Sequence, residues 1–428
     1  MEITAIAILI ISFLFIMFFR VPIVFALSIS SLLTIIYLDL PLAVIAQSMI
    51  KSIYTFSLLA IPFCILAGEI MREGTITKKL INLSNEFIGH IRGGLALVNV
   101  SACMFFGGMT GSSIADASCI GATVIPMMQE KGYDSDYAAT VTAIASTQGI
   151  LVPPSHNAIM YAIVAGGGIS ISKMLLAGII PGILVGIGTA ILAYIIAIKR
   201  GYPVEPKSNL HKRLIAVKEA ILPMFAILII FGGIFLGIYT IIESNAMIVV
   251  YVFCLSCFLY KELSLKSIKL ILIRSINTLS SVIILISFSG PFGWLLAYLK
   301  VPYLMTTAIL TFSSNQYVVL LLITFILLLL GCIIDTTPTL IICTPIMLPI
   351  VMQFGIDPIQ FGVIMLMTIC IALVHPPLGC SLFIASSIAK VSVEKVTITA
   401  IPFYVMMILV LLLVITVPEI TMFLPNRL

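Results

Sequence analysis

Two Pro-Pro pairs, Pro153-Pro154 and Pro376-Pro377, interrupt apolar runs of bilayer-spanning length and stand 223 residues apart. Proline brings no N–H and its ring clashes with the preceding turn, so neither run can be one regular helix. Lipid offers no water to the backbone groups freed by such a break, which must therefore lie inside protein or beside a watery cavity. Two such breaks point to an all-α membrane protein with discontinuous helices held in its interior. Composition agrees, with 61% apolar and 9% charged residues against roughly 25% charged in soluble domains. Apolar stretches at 3–19, 22–38, 174–198, 221–239, 245–260 and 396–416 approach or reach the about 20 residues of a bilayer crossing. The first follows only Met1-Glu2, without a basic leader region, and reads as a retained helix rather than a secretory signal.

The same 223-residue offset pairs Pro126 with Pro349, Gly132 with Gly355 and Asp134 with Asp357, and sets a polar cluster at 107–116 opposite another at 331–338. The halves are duplicated units, 1–198 and 220–428, joined by the polar stretch 199–219. Within the first half, 95–128 is too long for one crossing and is polar and Gly-rich near its middle. A re-entrant hairpin of two short helices accounts for it. The following run, 137–165, is one helix broken at Gln148-Gly-Ile-Leu-Val-Pro-Pro-Ser-His-Asn157. The second half repeats both, with a hairpin at 317–354 and a helix at 358–389 broken at Val374-His-Pro-Pro-Leu-Gly379. The segments 40–52 and 262–277 mix charge with apolar residues at equivalent places and read either as interfacial arm helices or as amphipathic loops.

Each hairpin returns to its starting side, which leaves five crossings per half, about ten in all, and an odd number inverts the second half. Basic residues test this. With both termini periplasmic, 18 Lys and Arg fall on the cytoplasmic side, and only Lys51, Lys173, Lys300 and Arg427 on the other. That is the bias of the positive-inside rule. The expected architecture is thus two inverted repeats, about ten spans of which two are discontinuous, and two opposed hairpins.

Discontinuous helices meeting near the midplane of inverted repeats are how secondary transporters build substrate and ion sites. Half-helix N-termini present N–H groups to an anion, while unwound carbonyls suit Na⁺. One site would form between the tip at 107–112 and the carbonyls around 149–154, its partner between 331–337 and 372–378. Polar residues at the tips and breaks are candidate substrate contacts: Ser112, Ser113, Asp116, Ser155, Asn157, Asp335, Thr336 and Thr337. Close helix packing is the other reading of the small residues, and helix capping the other reading of Asp116 and Asp335, since a carboxylate at the bilayer centre is costly unless paired. Glu69 and Glu243 lie near span ends, where they are satisfied. No phosphate-binding loop is present, and the four histidines, at 90, 156, 211 and 375, have no ligand spacing. The one CxxC, Cys254 to Cys257, has no second pair nearby. Enzyme chemistry, an organic or metal cofactor and a nucleic-acid partner are not expected.

At these motifs the chain resembles the large, DctM-type membrane subunit of tripartite ATP-independent periplasmic (TRAP) transporters. The resemblance runs nearly end to end and is carried by Gly89-His-Ile-Arg-Gly-Gly94, Met104-Phe-Phe-Gly-Gly-Met-Thr-Gly-Ser-Ser-Ile-Ala-Asp116, Ile150-Leu-Val-Pro-Pro-Ser155, Gly331-Cys-Ile-Ile-Asp-Thr-Thr337 and Pro376-Pro-Leu-Gly379. It implies a multi-pass protein of the bacterial inner membrane that imports a small organic acid, of C4-dicarboxylate, sugar-acid or sialic-acid type, on a sodium gradient. Its implied partners are a periplasmic binding protein and a separate four-helix DctQ-type subunit, with the hairpin domain moving elevator-fashion against a scaffold. By motif, the first sodium site falls on Gly107, Thr110, Gly149, Val152 and Pro154, and the second on Gly331, Ile334, Ala372, His375 and Leu378. Two departures from the family pattern stand out: its Ser-Gly-Ser tip is Thr110-Gly-Ser112 here, and its Thr-Pro-Pro is His375-Pro-Pro377. A stand-alone sodium/dicarboxylate symporter of related hairpin architecture would share these features, and so, less well, would a channel.

Overall fold

A computed structural model describes residues 2–427 apart from Arg20, Gly74, Gly167, Glu205, Pro206, Leu236, Gly237, Ser314, Pro377 and Leu378. Every regular element among the described residues is helical. Large apolar side chains such as Phe15, Phe18, Phe25, Leu33 and Ile36 remain on the outside. In water such a surface would drive association, whereas in lipid it meets its own kind.

The first hairpin is the helix pair Gly94–Thr110 and Ser113–Glu130, and the second is Gln316–Gly331 and Thr336–Gln353. The returning arms are displaced by 223 positions at both ends. Their exits explain the repeated residues. Gly132 and Gly355 take φ of +83° and +76°, a left-handed conformation that glycine adopts without Cβ strain and that commonly ends helices. Asp134 and Asp357 then occupy the N-cap of the next helix, and Asp357 accepts from the Ile359 N–H at 2.7 Å.

Both expected breaks are present. The first discontinuous helix consists of Ser135–Ser146, the single turn Gln148–Leu151 and His156–Val164. The second consists of Pro358–Ala372 and Cys380–Ala389. The halves interlock, because Ser113–Glu130 packs on Cys380–Ala389 while Thr336–Gln353 packs on His156–Val164. Cys370 Sγ lies 3.4 Å from the Thr147 carbonyl, and these two positions are equivalents 223 apart. Equivalent residues touch only close to the axis that relates the repeats, so an approximate twofold passes between the two breaks.

Around this interlocked body lies a second group of helices: Glu2–Phe18, Ile23–Tyr37, Ala43–Ile53, Ala60–Glu73, Ile241–Cys254 and Leu265–Tyr298 pack on one another. Here the repeats diverge. Ala43–Ile53 is bent by 58° from the following Phe56–Glu73 segment, as expected of an arm. Its equivalent is no separate arm, because residues 265–298 form one 34-residue helix. Pro62, in the first turn of Ala60–Glu73, fits a helix that starts there but not one running through from Ile53. Leu285 stands at the equivalent place and imposes no start. Likewise, the 199–219 stretch is not wholly a linker, since the helix Leu210–Phe235 begins inside it. The sequence Leu210-His-Lys-Arg-Leu-Ile-Ala-Val-Lys-Glu-Ala220 has no Gly, Pro or strong capping residue to prevent this.

Five helices among the described residues are long and apolar enough to cross a bilayer unaided, or six with the bent pair. Length alone undercounts crossings in such a protein, because the broken helices cross as pieces each too short by itself.

Candidate functional site

The site is assembled where each hairpin tip meets the facing break. Pro153 and Pro154 leave the carbonyls of Gly149 and Ile150 without the N–H four residues on, so the helix opens. Val152 is extended, at φ −75° and ψ 128°. Ser155 then caps the next half-helix, accepting from the Ala158 N–H at 3.3 Å. Opposite it, Gly111 at φ +65° ends the first hairpin arm, its N–H donating to the Gly107 carbonyl at 2.8 Å. Ser112 caps the returning arm, accepting from Ala115 N–H at 3.4 Å. Asn157 Nδ2 donates to the Gly111 carbonyl at 2.9 Å and fastens tip to break.

Asp116 lies at the centre of this junction. Its carboxylate is fully buried; Oδ1 accepts from Thr110 Oγ1 at 2.5 Å, and Oδ2 has no hydrogen-bond partner among the described residues. Around Oδ2 the backbones of Gly107 and Gly149 come together. A Cβ on Gly149 would fall 2.5 Å from Oδ2 and 2.8 Å from Gly107 Cα, and one on Gly107 would strike the same oxygen. A buried carboxylate oxygen without a partner is unstable unless a cation or proton neutralises it. The carboxylate and the Thr110 hydroxyl bring oxygen donors to this junction. Oxygen donors are the class that hard cations prefer.

The second junction is built differently. Among the described residues, a Cβ on Gly331 would meet only Ala372 Cβ, at 2.8 Å. The freed carbonyls have found donors: Ala372 O accepts from His375 N–H at 3.2 Å, and Leu373 O from Ser381 N–H at 3.3 Å. Ile334 O accepts from Thr339 Oγ1 at 3.3 Å. His375 Nδ1 donates to the Pro376 carbonyl at 2.6 Å, its ring 5.3 Å from that of Tyr404. The Tyr404 hydroxyl donates to Val374 O at 2.5 Å. Asp335 caps the returning arm, accepting from Thr336 N–H at 2.7 Å. Leu378, expected in this site, lies outside the described residues.

A cavity of about 690 Å³ joins both tips to the surrounding helices. Of the candidate substrate residues, Ser112, Asp335 and Thr337 line it, together with Thr110. Ser113, Asp116, Ser155, Asn157 and Thr336 are buried elsewhere in the junctions. Ser113 Oγ bridges the halves, 2.9 Å from Ser146 Oγ and 2.7 Å from Ser381 Oγ. The opposite wall holds residues that the sequence reading did not assign to a site, Gly68, Glu69 and Arg72 of Ala60–Glu73 with Thr278 and Ser281 of Leu265–Tyr298, and His156 joins them from the break. Glu69 and Arg72 read as span-end charges in sequence. The signal available was spacing, since Cys64, Gly68 and Arg72 share one helix face at intervals of four.

A fold made of two interlocked hairpin-and-break units is matched by known proteins. The family model described as "Tripartite ATP-independent periplasmic transporter, DctM component" covers residues 10–420. This chain belongs to the DctM family. The large permease of the Vibrio cholerae sialic acid TRAP transporter is 36% identical to it over 381 residues, covering 89% of each chain. The Rhodobacter capsulatus C4-dicarboxylate TRAP large permease is 32% identical over 402 residues, covering 91% of each. An isethionate TRAP permease, DctMQ, from Oleidesulfovibrio alaskensis is 36% identical over 94% of this chain, which spans 64% of that longer protein. In structure, the Alcanivorax borkumensis YdaH transporter superposes with a TM-score of 0.68 over 86% of this chain and 87% of its own, at 12% identity, a likeness of fold alone. The DctM chain described here is thus an integral membrane transport protein, the large permease subunit of a TRAP system for organic acids, and not an enzyme. Membership in that family implies a small permease partner and a periplasmic binding protein.

Proposed function

We propose that this permease couples the inward movement of Na⁺ to import of a small organic anion across a bacterial inner membrane. The observation that carries the reading is the unpartnered Asp116 Oδ2, buried between the backbones of Gly107 and Gly149. Thr110, Asp116 and the carbonyls of Gly107, Gly149 and Val152 would hold one ion there, and Gly331, Ile334, Ala372 and His375 would frame a second. The bound ion supplies the positive charge that lets a carboxylate stay ionised at membrane depth. The anion would enter the cavity between Ser112 and the pair Asp335 and Thr337, delivered by the binding protein, with a small subunit against the outer helices. Succinate, N-acetylneuraminate and isethionate represent the chemistries named for the relatives.

The basic-residue asymmetry puts Asn209 in the cytoplasm and the chain ends in the periplasm. On that orientation the large cavity, at the Ile23 end of one helix and the Arg72 end of another, opens inward. The test is uptake by the reconstituted three-component system. Replacing external sodium by choline at fixed potential should abolish it, and unchanged uptake would overturn the coupling. Each net positive charge carried inward gains about 2.3 kcal/mol per 100 mV, so an inside-negative potential should accelerate uptake if sodium charge exceeds substrate charge. Uptake by this chain without its partners would instead indicate a stand-alone symporter.

A further inference from the structure

We propose that Arg72 is the substrate anion's partner on the release side of the cavity, with Glu69 as the group that displaces it; this deepens the reading above and rests on it. The helix Ala60–Glu73 faces the first junction along one stripe. Cys64 Sγ lies 3.6 Å from the Pro154 carbonyl. One turn on, Gly68 passes so close to the tip that a Cβ would sit 3.3 Å from Thr110 Cα. One further turn brings Arg72 into the cavity that also exposes Ser112 and Asp335.

The guanidinium is uncommitted. It makes no hydrogen bond among the described residues, and its ion pair with Glu69 Oε1 spans 3.6 Å, too long for a hydrogen bond. Glu69 Oε2 is buried without a partner. Arg72 is the one Lys or Arg among the described residues that line the cavity, which also holds His156 and the acids Glu69 and Asp335. A planar fork of free donors in a semi-enclosed cavity suits a carboxylate or sulfonate, which it can bind bidentately. Because Arg72 belongs to the outer helices and the tips to the interlocked body, an anion leaving the tip would meet this cation on its way out. Glu69, three residues away on the same face, would then compete for the guanidinium and free the anion.

The experiment uses proteoliposomes carrying the complete complex, with binding protein and sodium outside, and whichever of labelled succinate, N-acetylneuraminate or isethionate the wild type accumulates. The same acid, unlabelled, is loaded inside, and the internal concentration that halves initial uptake is measured. Arg72→Gln should raise that concentration about tenfold or more, the factor expected for one lost charge-assisted hydrogen bond. Arg72→Lys should recover part of the loss, and Glu69→Gln should lower the concentration below wild type. The half-saturating external sodium concentration should stay the same in all three. An unchanged internal half-inhibitory concentration in folded Arg72→Gln overturns the proposal. So does the absence of internal inhibition in the wild type, or, where Arg72→Gln fails to assemble, wild-type values in both Arg72→Lys and Glu69→Gln. Wild-type complex that accumulates none of the three acids would overturn the substrate class proposed above, a result separate from these.

Discussion

The two helix breaks occupy equivalent positions and are made by the same Pro-Pro device, yet only one of them encloses a carboxylate. In the first, two glycines touch backbone to backbone around Asp116 Oδ2. In the second, position 339, the equivalent of 116, is Thr339, which turns back onto its own helix and donates to Asp335 O at 2.8 Å. The equivalent of Gly149 is Ala372, whose carbonyl is taken by His375 N–H. Equivalent of Val152, His375 donates to the neighbouring carbonyl rather than toward the tip. Duplication conserved the backbone opening and left the two openings to be furnished separately. The first buries a carboxylate oxygen that has no partner among the described residues, whereas in the second the Ala372 and Leu373 carbonyls accept hydrogen bonds. Sodium dependence should therefore be governed mainly by the first.

The harshest way to break this contrast is to fill the glycine contact. Gly149→Val places carbons against Asp116 Oδ2, whose carboxylate is held by Thr110, and against the Gly107 backbone, and should cost about 1 to 3 kcal/mol or more through overpacking. Folded complex in detergent should fall sharply in amount or thermal midpoint. Gly331→Ala meets, among the described residues, only a methyl group and should be milder; equal losses would deny that the junctions differ.

Removing the charge comes next. Asp116→Asn keeps an acceptor for Thr110 Oγ1 and should fold, but the half-saturating sodium concentration for uptake should rise about ten- to a hundredfold, the range for losing an ion-supporting group. Asp335→Asn, which weakens only a helix cap, should shift it by far less. A folded Asp116→Asn complex with wild-type sodium dependence would place the ion elsewhere.

A smaller effect is expected from the break itself. Pro154→Ala restores an N–H that can claim the Ile150 carbonyl and partly re-form the helix, so sodium affinity should fall several-fold before stability does, about the loss of one neutral ligand interaction. Thr110→Ala should do less, because the backbone carbonyl remains. Under simple packing both would lower abundance with sodium dependence unchanged, which titration beside a folded-protein assay distinguishes.

Least of all should follow from His375→Thr, which installs the residue usual in the family. Its ring bonds to the adjacent carbonyl and packs on Tyr404, so half-saturation for sodium should change about twofold or less, within what one weak contact contributes. A large change would show that the second junction is furnished by side chains after all.

The sequence by itself determined the duplication, the hairpins and the breaks, because glycine at positive φ, aspartate at the N-cap and proline without an N–H act on their own few residues whatever lies around them. Pairing each tip with the break of its own half also put Gly107, Thr110 and Gly149 at one junction. The tertiary structure decided the rest. Whether Asp116 points at the cavity or into the junction depends on how two glycine backbones approach across helices, and no local pattern encodes that distance. Whether residues 262–277 stand apart from the following span depended on a proline missing at position 285, an absence that shows only beside its equivalent at Pro62. Glu69 and Arg72 looked like charges at the end of a span because exposure to water and exposure to a cavity call for the same residues. Only the packing of Ala60–Glu73 across the first hairpin tip turned that end of the helix into a wall of the cavity.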